Sequence, residues 1–246
     1  MSSLWPPSGI RMSIRVSDQP AFILRRREWR DTSLILELFS RDHGCISVIA
    51  KGARRSPGKI QYQPFVLLNV GWVGQQELKT LTGIENQMLP VDEQNYLALL
   101  YINELIALFI PQGESSPEIF DAYLDLLKQA HREIDESDLR RFEMLLMRTL
   151  GYFPDISSDA QSGLDIESGR YYQFVINSGF IECGKTDRDS VAGEVVQDWL
   201  RGDYRPESVR RLARTVLRST IDFNLHGRAI KSRDVYHEML RRKTPA

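Results

Sequence analysis

Three sets of residues in this 246-residue chain are of a type and spacing that could do chemistry. The first is Gly179-Phe-Ile-Glu-Cys-Gly184-Lys185-Thr186, a full match to G-x-x-x-x-G-K-T. In that pattern backbone amides cradle phosphates, the Lys reaches them, and the hydroxyl serves Mg²⁺. Such a loop needs a strand before it and a long helix after it. Here Phe180 and Ile181 are bulky where small residues usually sit, and Asp187-Arg188-Asp189-Ser190 is a poor helix start. The match reads as a coincidental turn, with a nucleotide hydrolase using Lys185 and Thr186 as the rival. The second set is metal-ligating. Zinc wants Cys or His pairs at short spacing, but Cys45 and Cys183 are far apart and His43, His131, His226 and His237 form no close pair. The carboxylates of residues 114–143 read as solvated helix faces. Nothing argues for catalysis or a cofactor.

The third set is basic. Arg25, Arg26, Arg27, Arg30, Arg41, Lys51, Arg54, Arg55, Lys59 and Lys79 are interleaved with Trp29, Phe39, Tyr62, Phe65 and Trp72. Cations neutralise phosphates and release counterions, and aromatic rings stack bases without demanding a sequence. This reads as a nucleic-acid surface, with Arg27, Arg30, Arg41, Lys51, Arg54, Arg55 and Lys59 as the DNA-contact candidates. The aromatics read as core in preference to base-stacking rings. An adaptor whose cations meet an acidic protein is the alternative from another class. Arg211, Arg214 and Arg218, at spacings of 3 and 4, make a stripe on one helix face, solvated or DNA-contacting.

Charge supports the nucleic-acid reading. The net charge of −1 hides 12 Lys/Arg against 6 Asp/Glu in residues 1–80, 5 against 15 in 81–160, and 15 against 12 in 161–246. A basic first part joined to an acidic middle suggests that the first part meets a polyanion. Hydrophobic residues are 42% and charged residues 26%, which excludes wholesale disorder. Two cysteines exclude a disulfide scaffold and favour a reducing compartment. No apolar signal region follows the start, and Tyr96–Ile110, interrupted by Asn103 and Glu104, is too short and polar to span a bilayer. A soluble, cytoplasmic protein is expected.

The elements that must carry these residues fall into two regimes. From Ala21 to Glu85 the apolar period is near 2, predicting five strands. They are Ala21–Arg27, Thr32–Arg41, Gly44–Lys51, Phe65–Trp72 and Glu77–Ile84, with a turn at Asp42-His43-Gly44 and a basic loop over Gly52–Gln63. Their predicted inward sets are Leu34, Leu36 and Leu38; Ile46, Val48 and Ala50; and Val66, Leu68, Val70 and Trp72. A small barrel or sandwich fits. After Pro90 the pattern is helical: Tyr96–Ile110, then Ser116-Pro117 to about His131, then Asp138–Leu150 capped by Ser137. Phe153–Lys185 reads as irregular around a strand-like Tyr171–Asn177, and helices resume near Val191–Arg201, Pro206–Leu225 and Ser232–Arg242.

Several segments together resemble one family. Ala21-Phe-Ile-Leu, Arg30-Asp-Thr-Ser-Leu, Ala50-Lys51-Gly52-Ala53-Arg54, Gln63-Pro64-Phe65 and Glu77-Leu-Lys79-Thr80-Leu look like the N-terminal domain of RecO. Tyr101-Ile-Asn-Glu-Leu105, Leu139-Arg-Arg-Phe-Glu143, Leu150-Gly-Tyr152 and Ile230-Lys-Ser-Arg233 continue the likeness, so it covers about residues 20–243. The resemblance implies an α+β chain: a five-stranded OB-fold barrel at 1–88, then an all-helical domain at 89–246. It implies DNA binding, annealing of complementary strands, RecR as a partner, and help in loading RecA onto single strands coated by single-stranded-DNA-binding protein (SSB). It places the protein in the bacterial cytoplasm with the nucleoid. Many relatives carry a four-cysteine zinc module, but at about 152–186 this chain has Asp159, Ser162 and a lone Cys183, so no metal is expected. SSB tails end in acidic residues and a Phe, and Arg140, Arg141 and Phe142 are the candidates for holding one. Ordinary pairing, Arg140 with Glu136 for instance, is the alternative.

Overall fold

The computed structural model describes residues 14–55 and 62–235. They divide into two compact units, one holding the residues up to Met88 with Gln112–Ser115, the other Leu89–Pro111 and the residues from Ser116 on.

The first unit is a closed barrel of five strands in the order β1-β2-β3-β5-β4, an OB-like arrangement. The strands are β1 Arg15–Trp29, β2 Ser33–Ser40, β3 Gly44–Ala50, β4 Leu67–Val73 and β5 Leu78–Gln87. β1 starts six residues before the predicted Ala21 because its first half, with Asp18 and Pro20, lacks an apolar alternation. That half pairs with β4 and the second half with β2, so a single strand closes the barrel. β3 and β5 pair in parallel through Ser47–Ile49 and Leu78–Thr80. The predicted inward residues of β2, β3 and β4 meet Ala21, Ile23 and Tyr62 in one core, with Leu34 partly buried at its edge. Gly44 opens β3 at φ +61, and a Cβ there would lie 1.9 Å from the Glu114 carbonyl oxygen, so only glycine fits this turn.

The second unit is built from α1 Tyr96–Phe109, α2 Pro117–Gln129, α3 Glu136–Thr149, α4 Gly193–Leu200 and α5 Glu207–Asn224. It is not all helical. Strands β6 Tyr171–Val175, where Tyr171–Asn177 reads as strand-like, β7 Gly179–Cys183 and β8 Val191–Ala192 form a small sheet; β7 lies in the segment predicted irregular, and β8 takes the first two residues of the predicted helix Val191–Arg201, which starts instead at Gly193. Its Tyr172 and Phe180 pack with Trp199, Val209, Val216 and Leu217 of the helices. α3 starts earlier than predicted, and its cap is Asp135 rather than Ser137. The Asp135 carboxylate accepts from the Asp138 amide at 2.9 Å and Asp138 reciprocates at 3.2 Å. No described helix is long and apolar enough to cross a membrane.

A buried polar network ties this unit together. Glu143 is fully buried on α3, paired with Arg140 at 2.8 Å and accepting from the Tyr101 hydroxyl at 2.5 Å. Burial pushes its carboxyl up, while Arg140 and the Tyr101 bond oppose that rise. Arg233 donates to Tyr101 and pairs with Asp222, and Glu104 accepts the amides of Lys231 and Ser232 at 3.0 and 2.8 Å. Removing Glu143 leaves Arg140 buried without its counter-charge. Glu143→Ala is therefore expected to destabilise the chain by about 3–5 kcal/mol in denaturant unfolding, against less than ~1 kcal/mol for exposed Glu133→Ala.

Candidate nucleic-acid interface

Past the irregularity between Ile23 and Arg25, β1 has exposed side chains but stays paired with β2 as a ribbon whose β2 residues Ile35 and Leu36 remain buried. Arg25 faces Glu37 across the ribbon and pairs with it at 3.8 Å, and Arg26 donates to the Tyr62 carbonyl at 3.1 Å. Arg27 and Arg30 place their guanidinium groups 5.7 and 6.0 Å from the Trp29 ring centre. Arg30 sits in the turn to β2 at φ +51, in the left-handed region. Arg30, Lys51 and Arg55 line one pocket of about 430 Å³ with Asp31, Thr32 and Ser33, three cations against one carboxylate. Among the described residues none of these three cations is ion-paired, so their charge is available to an anion.

The remaining DNA-contact candidates are placed differently. Arg54 is committed to the protein: it pairs with Glu28 at 3.3 Å and donates to the carbonyls of Arg30 and Asp31 at 3.3 and 3.2 Å. Arg41 pairs with Asp42 at 3.4 Å beyond the far end of β2, roughly 25 Å of strand away from the turn. Lys59 lies outside the described residues. Of the five interleaved aromatics, Phe39, Tyr62, Phe65 and Trp72 are buried, and only Trp29 is partly exposed.

Arg140, Arg141 and Phe142 do not share a surface, because consecutive helical residues step about 100° around the axis. Arg140 is buried with Glu143 and Phe142 is buried against the Tyr123 ring, their centres 6.3 Å apart. The predicted partner Glu136 is taken instead by Arg214, whose guanidinium holds that carboxyl below its usual range. Arg141 alone reaches outward, 4.7 Å over the Tyr204 ring, into a pocket of about 680 Å³ that Arg201, Arg205 and Arg210 also line. In the stripe on α5, Arg214 is thus occupied, Arg218 pairs with Asp222 at 3.7 Å, and Arg211 is exposed.

The G-x-x-x-x-G-K-T match is not a phosphate loop. Gly179–Cys183 is β7, paired residue for residue with β6, so its amides cannot curl around a ligand. The Gly184 amide donates to the Asp187 carboxylate at 2.7 Å, and Lys185 lies 5.6 Å from the Tyr171 ring centre. The residues at the zinc-module positions do not suit a metal either. Asp159 is buried, and both its oxygens are taken: it accepts from the amides of Gln161, Ser162 and Glu182 at 3.1, 2.6 and 2.6 Å and from the Ser162 hydroxyl at 2.7 Å. Cys183 has no second thiol beside it, and its own thiol is pushed up by desolvation. Among the described residues no group of three or more His, Cys, Asp or Glu could hold a metal. The Asp159 carboxylate gathers the knuckle by hydrogen bonds, a role the sequence reading did not assign to it.

Two family models match: Recombination protein O N terminal over residues 12–87 and Recombination protein O C terminal over residues 91–198. Among similar curated proteins, DNA repair protein RecO of Marinobacter nauticus is 34% identical, the match covering 90% of this chain and 94% of the relative. The namesakes from Aromatoleum aromaticum (32%; 92% and 97% covered) and Methylococcus capsulatus (36%; 90% and 93% covered) are similar at comparable distance.

The Asp159 cradle carries a prediction. Zinc chelation is expected to leave the thermal midpoint unchanged, whereas Asp159→Ala, which orphans three amides, is expected to cost about 1–3 kcal/mol. The Ser162 hydroxyl and the surrounding amides hold the Asp159 carboxyl below its usual range. Its stabilisation is therefore complete above the unfolded value of about 4 and lost as pH falls through the lower folded value, which an acid unfolding series of wild type against Asp159→Ala reads directly.

Proposed function

The chain belongs to the RecO family of DNA repair proteins, and on that footing we propose that it is a DNA-binding mediator of recombinational repair that anneals complementary strands. The observation that carries this reading is the convergence of the unpaired cations Arg30, Lys51 and Arg55 in one pocket beside Trp29. Annealing brings two polyanions together. Cations fixed on a rigid barrel screen that repulsion, and contact with phosphates leaves the base edges free to pair. Arg27 and Trp29 extend the surface along the ribbon, and Lys59 and Arg41 complete the set of proposed contacts. Trp29 is the ring on which an unpaired base can stack.

The partners of the reading are SSB, RecR and, through them, RecA, in the bacterial cytoplasm with the nucleoid. An acidic SSB tail fits the outward-facing Arg141, whose guanidinium lies 4.7 Å over the Tyr204 ring and, among the described residues, donates to no group but the Gly202 carbonyl at 3.4 Å. The neighbouring Arg201, Arg205 and Arg210 are paired with Asp198, Asp203 and Glu207, so Arg141 is the cation this pocket offers a tail. Arg140 and Phe142 contribute to this site through the shape of α3 rather than by contact.

The test is annealing of complementary oligonucleotides, with and without SSB, across salt. Wild type is expected to accelerate annealing, most at low salt. Arg30→Ala/Lys51→Ala/Arg55→Ala is expected to lose that activity, with the slope of log K against log salt for single strands shallower by about 2. Wild type that fails at low salt would reject the annealing role and favour an adaptor meeting an acidic protein. In a separate titration, Arg141→Ala is expected to weaken binding of a labelled SSB-tail peptide by about tenfold or more. A peptide bound equally well by Arg141→Ala places the tail elsewhere.

A further inference from the structure

The turn that presents Arg30 is tied to Arg54 by both side chain and backbone. A non-glycine residue at φ +51 persists where the surroundings over-determine it, and here Arg54 supplies the restraint. Its guanidinium donates to the Arg30 carbonyl at 3.3 Å and the Asp31 carbonyl at 3.2 Å, and its amide donates to the Thr32 carbonyl at 3.0 Å. All three successive carbonyls of the turn are thereby tied to one residue. The same guanidinium is anchored from the side by Glu28 at 3.3 Å. Arg30, Lys51 and Arg55, which share the pocket this turn borders, have no such commitments among the described residues.

We infer that Arg54 is a positioning residue for DNA binding: it does not contact the nucleic acid but fixes the left-handed turn that aims Arg30 at a phosphate beside Lys51 and Arg55. The inference rests on the nucleic-acid reading above and assigns one cation of its basic set to the protein instead of the DNA. Geometry makes the assignment specific to arginine. A planar fork reaches two carbonyls and a carboxylate at once, whereas an ammonium on a flexible stem is a point charge that cannot bridge them.

The test measures binding of the full chain to labelled oligo(dT) across salt for wild type, Arg30→Ala, Arg54→Gln, Arg54→Lys and Arg30→Ala/Arg54→Gln. Arg54→Lys keeps the charge and loses the fork, so it is expected to weaken binding as Arg54→Gln does. The salt slope is expected to fall by about 0.7, one phosphate contact, in Arg30→Ala and no further in the double variant. Wild-type affinity in Arg54→Lys, or a second drop of the same size in the double variant, makes Arg54 a phosphate contact and overturns the inference. Absence of salt-dependent binding by wild type is a distinct result, and it removes the nucleic-acid reading itself.

Discussion

Every strand of a closed five-stranded barrel has two neighbours, and in β1 the two pairings fall on successive halves of one long strand. Its first half lies against β4 and its second against β2, with Ala21 opposite both Leu68 and Ser40. Ala21 is wholly buried at this junction, where the two neighbours meet on either side. Since the strand must be long to do both, its far end runs beyond the core. Arg25, Arg26, Arg27 and Glu28 are exposed there, next to the turn that presents Arg30. Barrel closure and the display of positive charge are consequences of the same strand length. Arg27 sits on this strand itself, and Arg30, Lys51 and Arg55 sit in the turns that follow β1 and β3.

The second unit is organised around charge in the opposite sense, buried and neutralised. The motif Tyr101–Leu105 on α1, the motif Leu139–Glu143 on α3 and the residues Lys231–Arg233 are far apart in sequence, yet they converge through Glu143, Tyr101, Arg233 and Glu104. A buried ion pair adds little net stability compared with apolar packing, but breaking it is expensive, so it discriminates strongly against other arrangements. Two of the residues that carried the resemblance, Arg140 and Phe142, therefore belong to the interior. The polar group of that motif left for a partner is Arg141.

How far the sequence could be read follows from these two situations. The barrel strands were legible because a half-buried strand repeats every second residue, and Leu36, Leu38, Ile46, Val48, Leu68 and Val70 obey that rule. The first half of β1 was not legible, because its register is set by pairing with β4 and not by its own polar residues. Of the small sheet only β6 was legible, as the strand-like Tyr171–Asn177; β7 and β8 were hidden because they are short and β7 begins in a glycine-containing stretch that mimics a nucleotide-binding motif. At the site, composition pointed to the cations as a group, but which of them are free depends on long-range partners. Nothing in the spacing of Glu28, Arg30 and Arg54 shows that Arg54 is tied to backbone carbonyls while Arg30, Lys51 and Arg55 are not. Likewise the left-handed backbone at Arg30 has no signal in a residue type that seldom adopts it.

The segment gathered by Asp159 is held by a carboxylate where a zinc module would use thiolates. Thiolate ligands climb from sulfenic to sulfonic acid, and a zinc module assembled on them comes apart as they do. A carboxylate holding amide hydrogens has no such ladder to climb. The two cysteines that remain are poor targets, since burial pushes the Cys45 thiol up to about 12 and desolvation raises that of Cys183 as well. Within the described residues, then, the segment around Asp159 is held by hydrogen bonds and packing, with no thiolate ligand in it.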